Sequence, residues 1–168
     1  NLVRLTELID HVQTPSLRFA PFVPGQLPKL AGAGIFEQLK KHEILLHHPF
    51  QSFQPVVDFI CAAARDPDVV AIKQTIYRTG VHSELMEALV SAARAGKEVT
   101  VILELMARFD EEANINWADK LETAGAQVVY GVVGLKTHAK IALAIRREDG
   151  GLKFYSHLGT GNYHLTTT

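Results

Sequence analysis

Cysteine is almost absent from this chain: Cys61 is the one thiol in 168 residues. A single cysteine excludes an internal disulfide and a cysteine-rich zinc site. Cys61 falls on the apolar face of an expected helix and reads as a buried, inert thiol. Neither a signal-peptide pattern nor an apolar run long enough to cross a membrane is visible. A reducing cytoplasm, with the inner membrane face as a peripheral surface, is the expected setting. An excess of either charge is missing too, with 17 Lys and Arg against 18 Asp and Glu and a formal net charge of −1. The broad cationic field that nucleic-acid binding requires is therefore absent. Proline is scarce except in one place: four of the seven fall between Pro15 and Pro28. Proline fixes its own φ and lacks an N–H, so this stretch is expected to be an extended arm.

What remains is the composition of an ordinary globular protein, 47% hydrophobic and 21% charged, long enough for one good core. Residues 1–48 read as a connector, with short helices over Leu2–Val12 and Ile35–Lys41 and a short strand over Glu43–Leu46. Asn1 in place of a methionine and the abrupt stop at Thr168 predict a piece of a longer protein. From residue 49 the pattern becomes regular. Ser52 is the expected N-cap of a helix to about Arg65. Val69–Ile76 has the continuous apolar character of a central parallel strand. Ser83–Ala95 is a helix closed by Gly96, and Glu98–Leu105 the next strand. Asp110 caps a helix to Ala124, closed by Gly125. Gln127–Tyr130 is a third strand. His138–Arg147 and Leu152–His157 form a hairpin turning at Glu148–Gly151. The expected fold is α/β: a mixed sheet with a parallel βαβαβ core followed by an antiparallel hairpin.

Ligands of such sheets collect at the carboxyl ends of the parallel strands. Arg78 and Arg108 lie just past the ends of the first two strands and are expected at that edge. The hairpin would start there with His138 and Lys140 and return there with the loop Gly159-Thr-Gly-Asn162. Alternation along a strand predicts His138 and Lys140 on one face, beside the small Ala142 and Ala144, with Ile141, Leu143 and Ile145 turned into a core. From Lys136 to Lys153 five cations (Lys136, Lys140, Arg146, Arg147, Lys153) face two acids (Glu148, Asp149). Guanidinium forks and glycine-rich turns suit phosphate oxygens, and an imidazole beside an ammonium suits acceptance of a phosphoryl group.

Other readings stand beside these. His47 and His48 are expected to be structural, His157 structural or within reach of the site, and His11, His42, His82 and His164 on the surface. Asp110, Glu111 and Glu112 read as partners of a helix dipole rather than metal ligands. Arg108 has Glu104 and Asp110 as alternative partners to phosphate. Trp117 sits at core spacing, and Phe50 and Phe53 are placed to staple the first long helix to the arm.

Four motifs together resemble bacterial polyphosphate kinase of the long, multidomain type: Ile76-Tyr-Arg78, Ala107-Arg-Phe-Asp-Glu-Glu-Ala-Asn-Ile115, Gly134-Leu-Lys-Thr-His-Ala-Lys140 and His157-Leu-Gly-Thr-Gly-Asn162. Ile44-Leu-Leu-His-His-Pro-Phe50 resembles that family as well. More distantly, His-x-Lys followed by Gly-x-Asn resembles half of a phospholipase D-type site, although Ile145 stands where that motif carries an acid. The resemblance implies a phospholipase D-like catalytic domain over 49–168, attached to the arm at 1–48. It implies reversible transfer of the terminal phosphate of ATP to inorganic polyphosphate through a phosphohistidine at His138. Lys140 would neutralise phosphate charge, Asn162 would orient the site, and Arg78 and Arg108 would clamp phosphate close to Mg2+. Arginine has no lone pair for a metal, so both are magnesium-proximal through phosphate. The implied partners are ATP or ADP, polyphosphate, the remaining domains of the same enzyme and, at full length, further copies of itself. The fragment alone is expected to be inactive. A phospholipase D-like diesterase and a non-catalytic polyanion-binding module are the alternative readings.

Overall fold

The structure is a computed structural model that describes residues 8–12, 14–17, 19–26, 34–78, 83–104, 111–131 and 134–163. Its elements are helix α1 (Leu8–His11), a 3-10 turn (Pro15–Leu17), α2 (Ile35–Leu39), α3 (Gln54–Arg65), β1 (Val69–Ile76), α4 (Glu84–Arg94), β2 (Glu98–Leu103), α5 (Glu111–Thr123), β3 (Gln127–Tyr130), β4 (Lys140–Glu148) and β5 (Gly151–Gly159). The five strands form one sheet in the order β3-β2-β1-β4-β5. β1, β2 and β3 are parallel, β4 is antiparallel to β1, and β5 is antiparallel to β4. The expected mixed sheet with a βαβαβ core and a following hairpin is therefore the observed one.

Both crossovers step the same way, from β1 to β2 to β3, so right-handed connections place α4 and α5 on one face of the sheet. α3 packs beside α4 and against β1 and β4 on that face. This arrangement decides which side of β4 is buried. Ala142 and Ala144 are completely buried, while Ile141 is 39% exposed and Leu143 and Ile145 are half-buried. The expectation that the large residues face the core is thus reversed. The alanines lie under the helices, where Ala144 pairs with the buried Ile72, so they leave no open room beside His138.

Local signals explain most boundaries. Ser83 caps α4 by accepting from the Met86 N–H at 3.3 Å. Gly96 and Gly125 end their helices at φ 83° and 92°, a conformation in which a Cβ would be strained. Ser52 is not the N-cap of α3. Phe53 occupies that position without a side-chain cap, and the Ser52 hydroxyl accepts instead from the Gln54 N–H at 3.1 Å. Glu43–Leu46 forms no strand. It alternates as one, with Ile44 and Leu46 half-buried and Leu45 exposed, but it pairs with no neighbour. Glu111 and Glu112 lie exposed in the first turn of α5, as the dipole reading expects; Asp110 lies outside the described residues. Cys61 and Trp117 are buried as expected, and burial pushes the Cys61 thiol up to about 11, helped by the nearby Glu84 carboxylate.

Part of the arm belongs to the core. Gly25 donates to the Phe50 carbonyl and accepts from the Ser52 N–H, at 2.8 and 2.9 Å, laying the proline-rich stretch beside the approach to α3. Phe53 is buried against His48, whereas Phe50 is exposed and meets Phe22 and His47. The Phe36 ring of α2 is buried between Phe59 and Tyr155, at centroid distances of 5.9 and 4.9 Å. Below it, at the amino end of β1, Arg146 bridges Asp66 at 2.8 Å and Glu148 at 2.6 Å. Glu148 also accepts from Lys40 and from the Tyr155 hydroxyl. Burial works against the Glu148 carboxylate, yet Arg146, Tyr155 and Lys40 together hold it below the usual carboxylate range.

Phe36→Ala removes a packed ring and is expected to cost about 3–5 kcal/mol of stability. Leu17→Ala, at an exposed position, is expected to change stability by less than about 0.5 kcal/mol. Denaturant midpoints of the two variants check the contrast; equal midpoints would detach α2 from the core.

Candidate active site

The pairing of β4 against β1 brings three chain segments to the carboxyl edge of the sheet. β1 ends there at Ile76, followed by Tyr77 and Arg78. β2 ends there at Leu103, followed by Glu104. β4 starts there at Lys140, which pairs with Gly159 at the end of β5. His138 lies two residues ahead of β4 rather than within it, so strand alternation does not govern its direction. Thr75 ties that start down: its hydroxyl donates to the Ala139 carbonyl and accepts from the Ile141 N–H at 2.9 Å.

His138 and Lys140 nevertheless meet, on the ring of Tyr77. The imidazole is exposed and contacts that ring edge-to-face, with centroids 5.1 Å apart at 66°. The Lys140 Nζ stands 5.0 Å from the same centroid, and the Arg78 guanidinium carbon 5.6 Å from it. Lys140 is only 3% exposed, and its ammonium donates to the His138 carbonyl at 2.6 Å. Burial lowers its pKa. A buried ammonium at the mouth of a site is stabilised by an arriving anion, because the anion replaces lost hydration.

A buried polar frame holds these groups. Asn114 of α5 is fully buried, and its side-chain amide donates to the Tyr77 carbonyl at 3.0 Å and the Glu104 carbonyl at 2.9 Å. One amide thereby fixes the ends of β1 and β2 together. The Glu104 carboxylate, also buried, accepts from the Thr137 N–H at 3.0 Å and so positions the residue before His138. In the sequence Asn114 and Tyr77 stand out only as members of motifs, and Glu104 only as a rival partner for Arg108. A polar residue at a core-facing position of a helix is the signal that points to Asn114.

Of the other expected site residues, Arg108 lies outside the described residues. Asn162 sits half-buried beyond β5 at this edge, and no hydrogen bond joins it to His138 or Lys140 among the described residues. His11 and His42 are exposed as expected, whereas His82 and His164 lie outside the described residues. No group of three or more His, Cys, Asp or Glu able to hold a metal ion occurs among the described residues. Mg2+ wants an oxygen octahedron, and these residues do not supply one.

Residues 34–168 match the family model described as polyphosphate kinase C-terminal domain 1. A polyphosphate kinase of Neisseria meningitidis serogroup A is 61% identical over 169 residues, covering 100% of this chain and 25% of that protein. One from Burkholderia vietnamiensis is 60% identical, covering 99% and 25%. A solved structure, the polyphosphate kinase of Porphyromonas gingivalis, superposes with a TM-score of 0.76 at 36% identity, covering 92% of this chain and 26% of that one. The chain thus spans about a quarter of the length of these relatives.

His157 and Lys140 both border the face of Gly159 on which a Cβ would stand. A Cβ at Gly159 would lie 2.9 Å from the His157 Cε1 and 3.7 Å from the Lys140 Cβ, so only glycine lets the imidazole sit there. Its Nδ1 meets the Tyr163 hydroxyl at 3.0 Å, and it lines a cavity of about 340 Å³ with His47, His48 and Phe53. His48 is half-buried, with its Nδ1 2.9 Å from the Gln51 carbonyl. Burial, and secondarily His48, lowers the His157 pKa to about 4, while burial raises that of Tyr163. Since the unfolded chain takes up a proton near 6.5 and the folded ring does not, stability falls as the pH drops from about 6.5 toward 4. Selective histidine NMR should find His157 neutral at pH 5; a midpoint near 6.5 would contradict its burial.

Proposed function

The chain belongs to the polyphosphate kinase C-terminal domain 1 family, and on that premise we propose that it supplies the phosphoryl-accepting half of an ATP:polyphosphate phosphotransferase. The observation that carries the reading is the meeting of His138, Lys140 and Arg78 on one tyrosine ring at the carboxyl edge of the sheet. Phospholipase-like hydrolysis would use the same histidine and lysine, and it is the family membership that favours transfer to polyphosphate over it.

In this mechanism an imidazole nitrogen of His138 attacks the γ-phosphorus in line with the bond to the leaving ADP. A P–N bond forms as that P–O bond breaks, and ADP departs with its electron pair. The terminal oxygen of polyphosphate then attacks the phosphohistidine phosphorus, and the imidazole is released unchanged. Every step is reversible. Lys140 and Arg78 face the equatorial phosphate oxygens, where charge is spread in the transition state. Arg108 and Asn162 have the same parts in this proposal as in the family resemblance: a second clamp and an orienting amide. Magnesium would enter with the phosphates of the substrate, close to Arg78 and Arg108.

The remaining three-quarters of the relatives' length would provide the nucleotide pocket and the far side of the site. ATP, polyphosphate, those further domains and additional copies of the enzyme are the proposed partners. The reaction is accordingly tested in the full-length enzyme. Brief exposure to ATP labelled in the terminal phosphate should give an acid-labile, alkali-stable label, and His138→Ala should reduce it to background. Lys140→Met should slow labelling by about 100-fold, the usual effect of removing one charge-stabilising donor. Full labelling of His138→Ala would overturn the assignment.

A further inference from the structure

We propose that Tyr77 is a positioning residue of this site, acting through the face and edge of its ring and not through its hydroxyl. The inference rests on the phosphohistidine reading above and adds a residue to it. Three groups of different chemistry converge on the one ring: the His138 imidazole at 5.1 Å, the Lys140 ammonium at 5.0 Å and the Arg78 guanidinium at 5.6 Å. The negative face of an aromatic ring attracts both cations and so contributes to placing them at the site before substrate arrives. The same ring limits rotation of the imidazole, because an edge-to-face contact at 66° is lost as the plane turns. Its own place is fixed from behind by the hydrogen bond from the fully buried Asn114 to the Tyr77 carbonyl.

Tyr77 is half-buried and outside the hydrophobic core, so packing does not account for its size. Among the described residues its hydroxyl makes no hydrogen bond. The ring alone is therefore the working part. An imidazole held in the attack direction gains rate in the chemical step, and a small misplacement costs up to about 100-fold.

The test uses full-length enzyme and the rate of phosphohistidine formation at saturating ATP, normalised to folded protein. Tyr77→Phe should stay within about 3-fold of the unmodified enzyme, whereas Tyr77→Leu should fall by about 10- to 100-fold with little change in the KM for ATP. A purely structural role would lower the folded fraction and leave the normalised rate alone. Should Tyr77→Leu fail to fold, mono-, di- and trifluorophenylalanine at position 77 keep the shape and weaken the π face, and the rate should fall stepwise along that series. A hydroxyl requirement, seen as Tyr77→Phe matching Tyr77→Leu, would overturn the inference. So would a wild-type rate in Tyr77→Leu or a flat fluorinated series. The His138→Ala control separates the two claims: persistent labelling there removes the phosphohistidine reading itself, while a silent control beside an unaffected Tyr77→Leu removes only the role of Tyr77.

Discussion

Asn114 sits at zero exposure and gives its amide hydrogens to the carbonyls that follow β1 and β2. Those carbonyls lie just beyond the ladder, where a parallel pair runs out of partners. Left alone in the interior, each would carry the desolvation cost of an unpaired polar group, about 1–3 kcal/mol. With both satisfied by one side chain, the two strand ends are held at a fixed separation. The Tyr77 ring is set by the first carbonyl. The backbone of Glu104 is set by the second, and through its carboxylate the approach to His138. The geometry of the edge that carries His138 thus depends on a buried side chain of α5.

The sheet is asymmetric, and the asymmetry serves the same edge. Helices cover only the face bearing Ile72, Ala142 and Ala144, and the alanines of β4 allow them close approach. On the opposite face Ile141, Phe154 and Leu158 remain exposed. At the far end of β1 the Arg146 cluster joins α2, the end of α3 and β4 through paired charges. One end of the sheet is therefore closed by matched opposite charges, whereas the other presents Lys140 and Arg78 around an aromatic ring.

Much of this was legible in the residues. The boundaries of β1 and β3 and the Ser83 cap follow from apolar runs and local hydrogen-bonding chemistry, which are encoded nearby in the chain. The convergence of Arg78, His138 and Gly159 at one edge follows from topology alone. Errors arose where tertiary context decides. Glu43–Leu46 alternates like a strand, but it packs Ile44 and Leu46 inward without joining the sheet. Ile141 looked like core because β4 is apolar on both sides, and only the one-sided helix layer shows that the small residues face inward. Ser52 is a good cap by composition, yet the helix starts one residue later than its geometry would allow. Tyr77 and Asn114 escaped because their roles lie in who their neighbours are, and those neighbours are distant in sequence.

The central claim is that the His138 imidazole, flanked by Lys140 and Arg78, is where the transferred phosphoryl group rests. A crystal structure of the full-length enzyme trapped with ADP and vanadate, a stand-in for the phosphoryl group in flight, tests it most directly. The account predicts vanadium bonded to a ring nitrogen of His138, with its equatorial oxygens facing Lys140 and Arg78. Vanadium bonded to a different side chain, with the His138 ring turned away from Tyr77, would contradict it.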